Sequence, residues 1–188
     1  MKRQKGFTLT ELMVVTAIVA ILLGIGVPSY RYITNSYRIA GEVNSLLGDL
    51  QYARAESLRE GRFVTVCISR DGANCDGAST TWQEGWIVFS DVNGNGTVDA
   101  GDTVLKVQQP FLGATPDRFV DLANGVAEVI YNREGFATTQ VGFPDTSITL
   151  HDPTANAAWT RCLWINPMGV PRVATPTTAP ESAAQVCN

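Results

Sequence analysis

The chain carries the run LMVVTAIVAILLGIGV at residues 12–27, an almost continuous stretch of hydrocarbon side chains. No charged residue occurs between Leu12 and Tyr30, and the basic segment KRQK at residues 2–5 stands shortly before the run. A helix of 21 residues over 7–27 would be roughly 31 Å long, close to the hydrocarbon thickness of a bilayer. The sequence therefore predicts one membrane span, with its basic side in the cytoplasm and everything after Pro28 exported.

Three interpretations compete for this segment. A removable secretory signal has the same basic start and apolar centre, but it needs a small-x-small cleavage site, and Gly24-Ile25-Gly26 is a weak one. A plain signal anchor needs no such site. The third interpretation depends on Glu11, which neither of the first two explains. Glu11 is a carboxylate at the edge of the apolar run, where an ionised side chain is costly and commonly signals a partner. Because Glu11 lies near the start of the helix it can also reach the interface, so a partner and a solvated acid both remain open.

The N-terminus resembles a known family of exported proteins. The string KGFTLTEL at residues 5–12, the apolar run and PSY at residues 28–30 together resemble the class III signal of type IV pilins and type II secretion pseudopilins. The resemblance implies that a prepilin peptidase cuts after Gly6 on the cytoplasmic face, and that Phe7 becomes the N-methylated mature N-terminus. It also implies that Glu11 faces a free N-terminal amine in the growing filament, where a charge pair in low dielectric offsets the cost of burial.

The helix is predicted to continue beyond the membrane with one apolar face. The spacing of its apolar residues alternates between four and three, which lays them along one side of a helix. Such a stripe normally packs against a protein core, and here we expect it to pack against a β-sheet. Gly61 is expected to end the helix. The stripe consists of Ile39, Val43, Leu46, Leu50 and Ala53.

Beyond Gly61 the pattern changes to short β-like segments separated by Gly, Asn, Asp and Pro. One long helix followed by a run of strands indicates an α+β fold, with a mostly antiparallel β-sheet head wrapped on the helix. The predicted strands are residues 62–68, 86–89, 103–107, 126–131, 147–150, 162–165 and 170–174. The predicted division is a leader at 1–6, a transmembrane and filament-core helix at 7–28, a soluble helical half at 29–61 and a β-rich head at 62–188.

Within the pilin superfamily, the head resembles the H-type pseudopilin and FimT/FimU minor pilin group. The resemblance implies a pilin-like fold and a non-enzymatic structural subunit, a minor pilin that helps to initiate a type IV pilus or sits at its tip. An H-type pseudopilin of a type II secretion system is the alternative, with the same helix and the same Glu11. The motifs that carry the resemblance are ARAES at 53–57, VTVC at 64–67, WQEGWIVF at 82–89 with the Asp/Asn/Gly loop after it, and RCLWINPMG at 161–169.

The resemblance also implies partners and a location. The partners are other minor and major pilins or pseudopilins, the prepilin peptidase and the inner-membrane assembly machinery. The location is the bacterial inner membrane, as a single-pass precursor with a periplasmic head, and later the pilus or pseudopilus. No cofactor is required for such a role. Catalysis finds little support, since His151 is the chain's one histidine and no GxSxG elbow, Walker loop or dinucleotide fingerprint occurs.

Four cysteines in an exported head predict two disulfides, for which the sequence alone permits three connectivities. Asp71-Gly72 can turn the chain between Cys67 and Cys75, which favours that pair and leaves Cys162 with Cys187. A zinc site is the rival interpretation, but no two of these cysteines have the CxxC spacing. The large aromatic residues are expected to be core or subunit-interface anchors rather than a ligand platform; these are Trp82, Trp86, Trp159 and Trp164.

The segment DVNGNGTVDAGD at residues 91–102 has the spacing of an EF-type calcium loop. Gly96 stands at position six, and position twelve is Asp rather than the longer Glu. The same residue types also suit an Asn-Gly turn between two strands, since they tolerate positive φ, so both interpretations stay open. The candidate calcium ligands are Asp91, Asn93, Asn95, Thr97, Asp99 and Asp102.

Composition and charge limit the remaining classes. With 45% hydrophobic and 17% charged residues, the chain is too apolar for a disordered protein and too mixed for a polytopic membrane protein. Loss of the leader's three basic residues lowers the net charge from −4 to −7, which weighs against nucleic-acid binding. FimT-like members of the group bind DNA through a GRxR motif, and the corresponding GVPR at residues 169–172 keeps only the second arginine. A DNA-binding competence pilin that takes up DNA is therefore the alternative function from a different class. It would need a local basic patch such as Arg161 and Arg172.

Overall fold

The computed structural model describes residues 8–77, 81–111, 118–120, 126–139, 146–151 and 158–175. The chain divides into two compact units, Met1–Tyr37 and Arg38–Asn188. One helix, α1, spans Leu9–Glu60. It is long and apolar enough near its N-terminal end to cross a membrane, and none of that apolar window is buried within the chain. These properties agree with the predicted span by length and composition.

Both ends of α1 follow from local sequence. The hydroxyl of Thr8 accepts the backbone N–H of Glu11 at 3.3 Å, in the Thr-x-x-Glu order of a capping box. At the other end Gly61 takes a φ of +63°, and its N–H donates to the carbonyl of Ser57 at 2.9 Å. A residue in the left-handed region stops the helix, and glycine adopts that region without strain. The predicted stop at Gly61 is therefore confirmed.

The predicted apolar stripe of α1 is the centre of the head's core. All five of its residues are at most 2% exposed. They form one cluster with side chains from β-strands, among them Val66, Val88 and Leu163. Trp82 and Trp86 are fully buried in the same cluster, as expected for core anchors, whereas Trp159 is only partly buried against it. The head thus has a single main core organised around the helix.

In its described ranges the head contains the seven predicted strands and two more. In chain order they are β1 (Phe63–Ile68), β2 (Trp86–Asp91), β3 (Thr103–Gln108), β4 (Arg118–Val120), β5 (Glu128–Tyr131), β6 (Ala137–Thr138), β7 (Thr146–His151), β8 (Arg161–Ile165) and β9 (Pro171–Ala174). Within the described residues they form two antiparallel sheets, of order β3-β2-β1-β5-β6 and β4-β7-β8-β9, where the sequence led us to expect one. The strands β4 and β6 were not predicted because three and two residues are too short to show a period.

Strand β1 is buried on both faces. Val64 and Val66 face the helix, whereas Cys67 shares the outer face with Ile87 and Phe89 of β2 in a second, smaller apolar cluster. A strand that is covered on both sides does not need polar residues on alternate positions. This explains why the sequence of β1 is apolar over most of its length.

Two glycine turns bring the two sheets together beside the helix. Gly135 lies between β5 and β6 with a φ of +78°, and Gly169 lies between β8 and β9 with a φ of +75°. The N–H of Ala137 donates to the carbonyl of Pro167 at 3.2 Å, which ties the first sheet to the turn of the second. Arg54 of α1 donates from Nε to the carbonyl of Gly135 at 3.0 Å. Helix and both sheets therefore meet at this pair of turns.

Candidate functional site

Glu11 lies in the first turn of α1, where a carboxylate interacts favourably with the positive end of the helix dipole. Its side chain is exposed. Among the residues that the structure describes, no cation lies within ion-pair distance of this carboxylate. The charge stands at the edge of an apolar surface and is available to an amine from another molecule.

The segment of α1 that follows Glu11 exposes apolar side chains around its whole circumference, and no other described residue covers them. Twelve large apolar side chains between Leu9 and Val27 are each 45–75% exposed. Exposed apolar area of this extent is rare on monomeric soluble proteins and marks contact with a membrane or with partners. This apolar surface of α1 is suited to contact lipid in a precursor and neighbouring helices in an assembly.

The predicted processing site precedes this surface directly. Gly6 and Phe7 lie outside the described residues, so cleavage after Gly6 and N-methylation of Phe7 stay predictions.

A disulfide joins Cys67 and Cys75, the pair that the intervening turn favours. Asp71 organises the loop, since its Oδ1 accepts the N–H groups of Ala73 and Asn74, each at 2.8 Å. The side-chain amide of Asn74, followed by these backbone N–H groups, holds the pKa of Asp71 well below its usual range. Because Cys67 and Cys75 are bonded to each other, neither is free to bind zinc as the rival interpretation required.

The second predicted disulfide is described at one end only. Cys162 is disulfide-bonded and fully buried on β8. Its predicted partner, Cys187, lies outside the described residues, so the pairing with Cys162 stays a prediction.

The Asp/Asn/Gly loop begins at Asp91, which ends β2 and is fully buried. Its Oδ1 accepts the N–H groups of Gly94 at 2.6 Å and Asn95 at 3.3 Å. Its Oδ2 accepts the N–H of Gly96 and the hydroxyl of Thr65, each at 2.9 Å. A carboxylate has about four lone-pair directions, and all of them are used here.

The other two carboxylates of the loop also accept hydrogen bonds from N–H groups of the loop itself. Asp102 accepts the N–H groups of Val92 and Asp99 at 2.9 and 2.8 Å. Asp99 accepts the side-chain amides of Asn95 and Asn93, which lower its pKa in that order. No group of three or more His, Cys, Asp or Glu side chains is arranged to hold a metal within the described ranges. The donor set favours a self-closed Asn-Gly turn over a calcium site, and the calcium interpretation is untested.

Calcium is expected to leave the head unchanged, because it would have to displace backbone N–H groups from the buried carboxylate of Asp91. Calorimetric titration of residues 38–188 with calcium at about 1 mM, the weak end of the range for extracellular sites, should give no saturable heat and no shift in melting temperature. A saturable heat together with a higher melting temperature, both lost in Asp99→Asn, would support the EF-type interpretation instead.

The two arginines of the DNA-binding alternative do not form one patch. Arg161 stands opposite Leu150, a core residue, and its guanidinium donates to main-chain carbonyls of its own segment. Arg172 stands opposite Trp164 on the outer face of the second sheet. Because directly opposed residues point to the same side of a sheet, the two arginines point to opposite sides. The predicted local patch of Arg161 and Arg172 is wrong for this reason.

Sequence reasoning missed a buried carboxylate on α1 that pairs with a half-exposed lysine of β3. Asp49 is 1% exposed; the indole N–H of Trp86 donates to its Oδ2 at 2.8 Å, and the ammonium of Lys106 pairs with its Oδ1. The burial of Asp49 could have been predicted from the sequence, because this residue lies three positions after Leu46 and directly before Leu50 on the apolar stripe. A carboxylate at such a position needs polar partners in the core.

Comparison with known proteins gives two matches to protein families. The family described as type II transport protein GspH matches residues 42–169. The family described as prokaryotic N-terminal methylation motif matches residues 1–27.

Curated relatives match part of their length to this chain. A fimbrial protein of Dichelobacter nodosus is 36% identical over 103 residues, which are 53% of this chain and 61% of that protein. A fimbrial protein of Pseudomonas aeruginosa is 40% identical over 64 residues, which are 34% of this chain and 41% of that protein. The chain therefore spans less than two thirds of the length of these relatives.

A solved structure shares the fold. The type IV minor pilin FimU of Pseudomonas aeruginosa superposes with a TM-score of 0.59 and 18% identity, covering 79% of this chain and 97% of that one. At this identity the likeness concerns the fold, a long helix packed on antiparallel strands.

Proposed function

The chain belongs to the GspH family of type II transport proteins, and from this premise we propose that it is a minor pilin, a structural subunit that helps to initiate a type IV pilus or sits at its tip. The observation that carries the proposal is the exposed carboxylate of Glu11 at the start of an uncovered apolar helix. A globular monomer has no use for this arrangement. A subunit that assembles into a filament needs it, because its apolar helix exchanges contacts with lipid for contacts with neighbouring helices. In the filament the Glu11 carboxylate then pairs with an amine.

Assembly follows from three properties of the N-terminal segment. The apolar part of α1 anchors the precursor in the inner membrane with the head in the periplasm. Cleavage between Gly6 and Phe7 frees an amine close to Glu11 in sequence, and methylation keeps that amine basic. An unpaired carboxylate costs about 2.5–3.5 kcal/mol at the middle of a lipid span, and Glu11, at the edge of the apolar run, carries at most this cost. Pairing Glu11 with the amine of a neighbouring subunit offsets this cost, so only a subunit in register is accepted.

Support for a pilus rather than a secretion system comes from the relatives. Several of the matched curated proteins are fimbrial proteins, and a structural neighbour with the shared fold is a type IV minor pilin. The family description, type II transport protein, supports the H-type pseudopilin alternative. Both roles are structural and use the same helix.

Deletion of the gene separates the two roles. We expect the deletion strain to lose most of its surface pili, counted by electron microscopy, while protein secretion into the medium is unchanged. Complementation with the wild-type chain should restore the pili. Normal piliation combined with accumulation of secreted proteins in the periplasm would instead establish the pseudopilin role.

A further inference from the structure

The second sheet ends in a strand whose apolar side is not fully covered. Within the described part of the chain, β9 has β8 on one side and no strand on the other. Its Pro171 and Val173 stand opposite the core residues Ile165 and Leu163, so they face the helix side of the sheet. Val173 is nevertheless 40% exposed. The apolar face therefore continues to the edge of the sheet, past the area that the described residues of the head cover.

A groove opens between this strand and α1. It has a volume of about 290 Å³, which is small for a drug-sized ligand but sufficient for one or two side chains. Leu58, on its helix wall, is 52% exposed. Phe136 and Met168, on the two glycine turns nearby, are 44% and 64% exposed. The groove is lined by Gln51, Arg54, Ala55, Leu58, Val170 and Pro171.

The charges around the edge are positive on a protein that is acidic overall. Arg54 makes one hydrogen bond within the described residues, from Nε to the carbonyl of Gly135. Its two Nη groups are therefore available to a ligand in the groove. Arg172 is exposed on the other side of β9. Guanidinium groups on both sides of one strand edge, against a net charge of −4, complement carboxylates rather than cations.

We propose that the edge of β9 and the Arg54 groove bind an extended acidic peptide segment of a partner protein. The segment adds to the sheet as a strand beside β9, places an aliphatic side chain in the groove and sets a carboxylate on the Nη groups of Arg54. Backbone pairing along an open edge supplies affinity, and the groove and the arginine supply selectivity. The surface uses no residue of the first unit, so this proposal goes beyond the assembly role of Glu11 and is tested independently of it.

A pair of peptides tests the recognition chemistry. The first is a fluorescent peptide of about eight residues in which Val and Glu alternate at every second position with Thr between them, so that both kinds of side chain lie on the groove face of the added strand. The second peptide replaces each Glu by Gln. Each is titrated with the full chain in a neutral detergent, and anisotropy reports binding. We expect saturable binding of the Glu peptide, with the Gln peptide at least about tenfold weaker because a charge-assisted hydrogen bond is lost.

Three variants locate the site. Arg54→Gln should remove the preference for the Glu peptide. Ala55→Glu, at an exposed position in the groove wall, should weaken the Glu peptide at least about tenfold by like-charge repulsion without disturbing the core. Arg59→Gln is the matched control, since Arg59 is an exposed cation of the same helix that does not line the groove.

Each contrary outcome overturns the proposal. These outcomes are no saturation up to about 1 mM peptide, equal binding of the two peptides, and affinities that Ala55→Glu and Arg54→Gln leave unchanged. If duplex DNA displaces the peptide and binds more tightly with a steep salt dependence, the edge is a nucleic-acid site and the peptide proposal fails.

Discussion

Glu11→Ala is expected to be inserted and cleaved normally but to be lost from assembled pili. Removing the carboxylate makes the span more apolar, so insertion is not impaired. In the filament, the substitution leaves a neighbouring amine without its partner in low dielectric. Breaking a buried pair in this way costs about 3–5 kcal/mol, so incorporation should fall by about a hundredfold or more. Quantitative mass spectrometry of sheared pili, normalised to the membrane-bound pool, measures the effect.

The adjacent substitution Thr10→Ala is the matched control for Glu11→Ala. It alters the same exposed turn of α1 without removing a charge, and we expect near-normal incorporation. Electrophoretic mobility shows whether each variant has lost its leader. If Glu11→Ala enters pili as efficiently as Thr10→Ala, Glu11 has no role in assembly.

Gly169→Ala is expected to have the largest effect on the stability of the head. Gly169 has a φ of +75°, and a Cβ at this position would lie 2.1 Å from the carbonyl oxygen of Gly135. That oxygen belongs to the backbone and also accepts the Arg54 guanidinium, so it cannot move aside cheaply. We expect a loss of at least about 3 kcal/mol in the free energy of unfolding, because overpacking is added to backbone strain. Urea unfolding of residues 38–188 provides the measurement.

The substitution Gly61→Ala separates the effect of backbone strain from the effect of overpacking. Gly61 has a similar φ of +63°, but no atom lies within 4 Å of a Cβ built there. The substitution should therefore cost only the strain of the left-handed backbone, about 1–2 kcal/mol. Equal losses for Gly169→Ala and Gly61→Ala would mean that the contact between the two turns does not hold the sheets together.

The helix and most strands could be predicted because their signals are local. The stripe from Ile39 to Ala53 repeats at helical spacing, and Gly61 marks its end, so no knowledge of distant residues is needed. The pairing of strands is different. Val66 of β1 lies between Val88 and Val129, and the choice of these partners depends on the whole core rather than on the segment itself. For this reason the sequence predicted the strands but neither their order nor the division into two sheets.

The candidate sites show the same limit. The predicted patch of Arg161 and Arg172 was wrong because the sequence does not reveal strand register, which places the two side chains on opposite sides of the sheet. Asp49 was missed because a period analysis counts an acid as exposed, whereas Trp86 and Lys106 satisfy it inside the head. The roles expected of Glu11 and Phe7 stay predictions, and they could be formulated from the sequence because their motif is contiguous in the chain.

The most direct test of the minor pilin role is the N-terminal peptide of the chain recovered from sheared, purified surface pili. We expect mass spectrometry to find a peptide that begins at Phe7 with a methylated amine, at a low ratio to the major subunit. Two results would contradict the proposed function. In the first, the chain is found only in the inner membrane and still carries residues 1–6. In the second, the chain is cleaved but is absent from the pili.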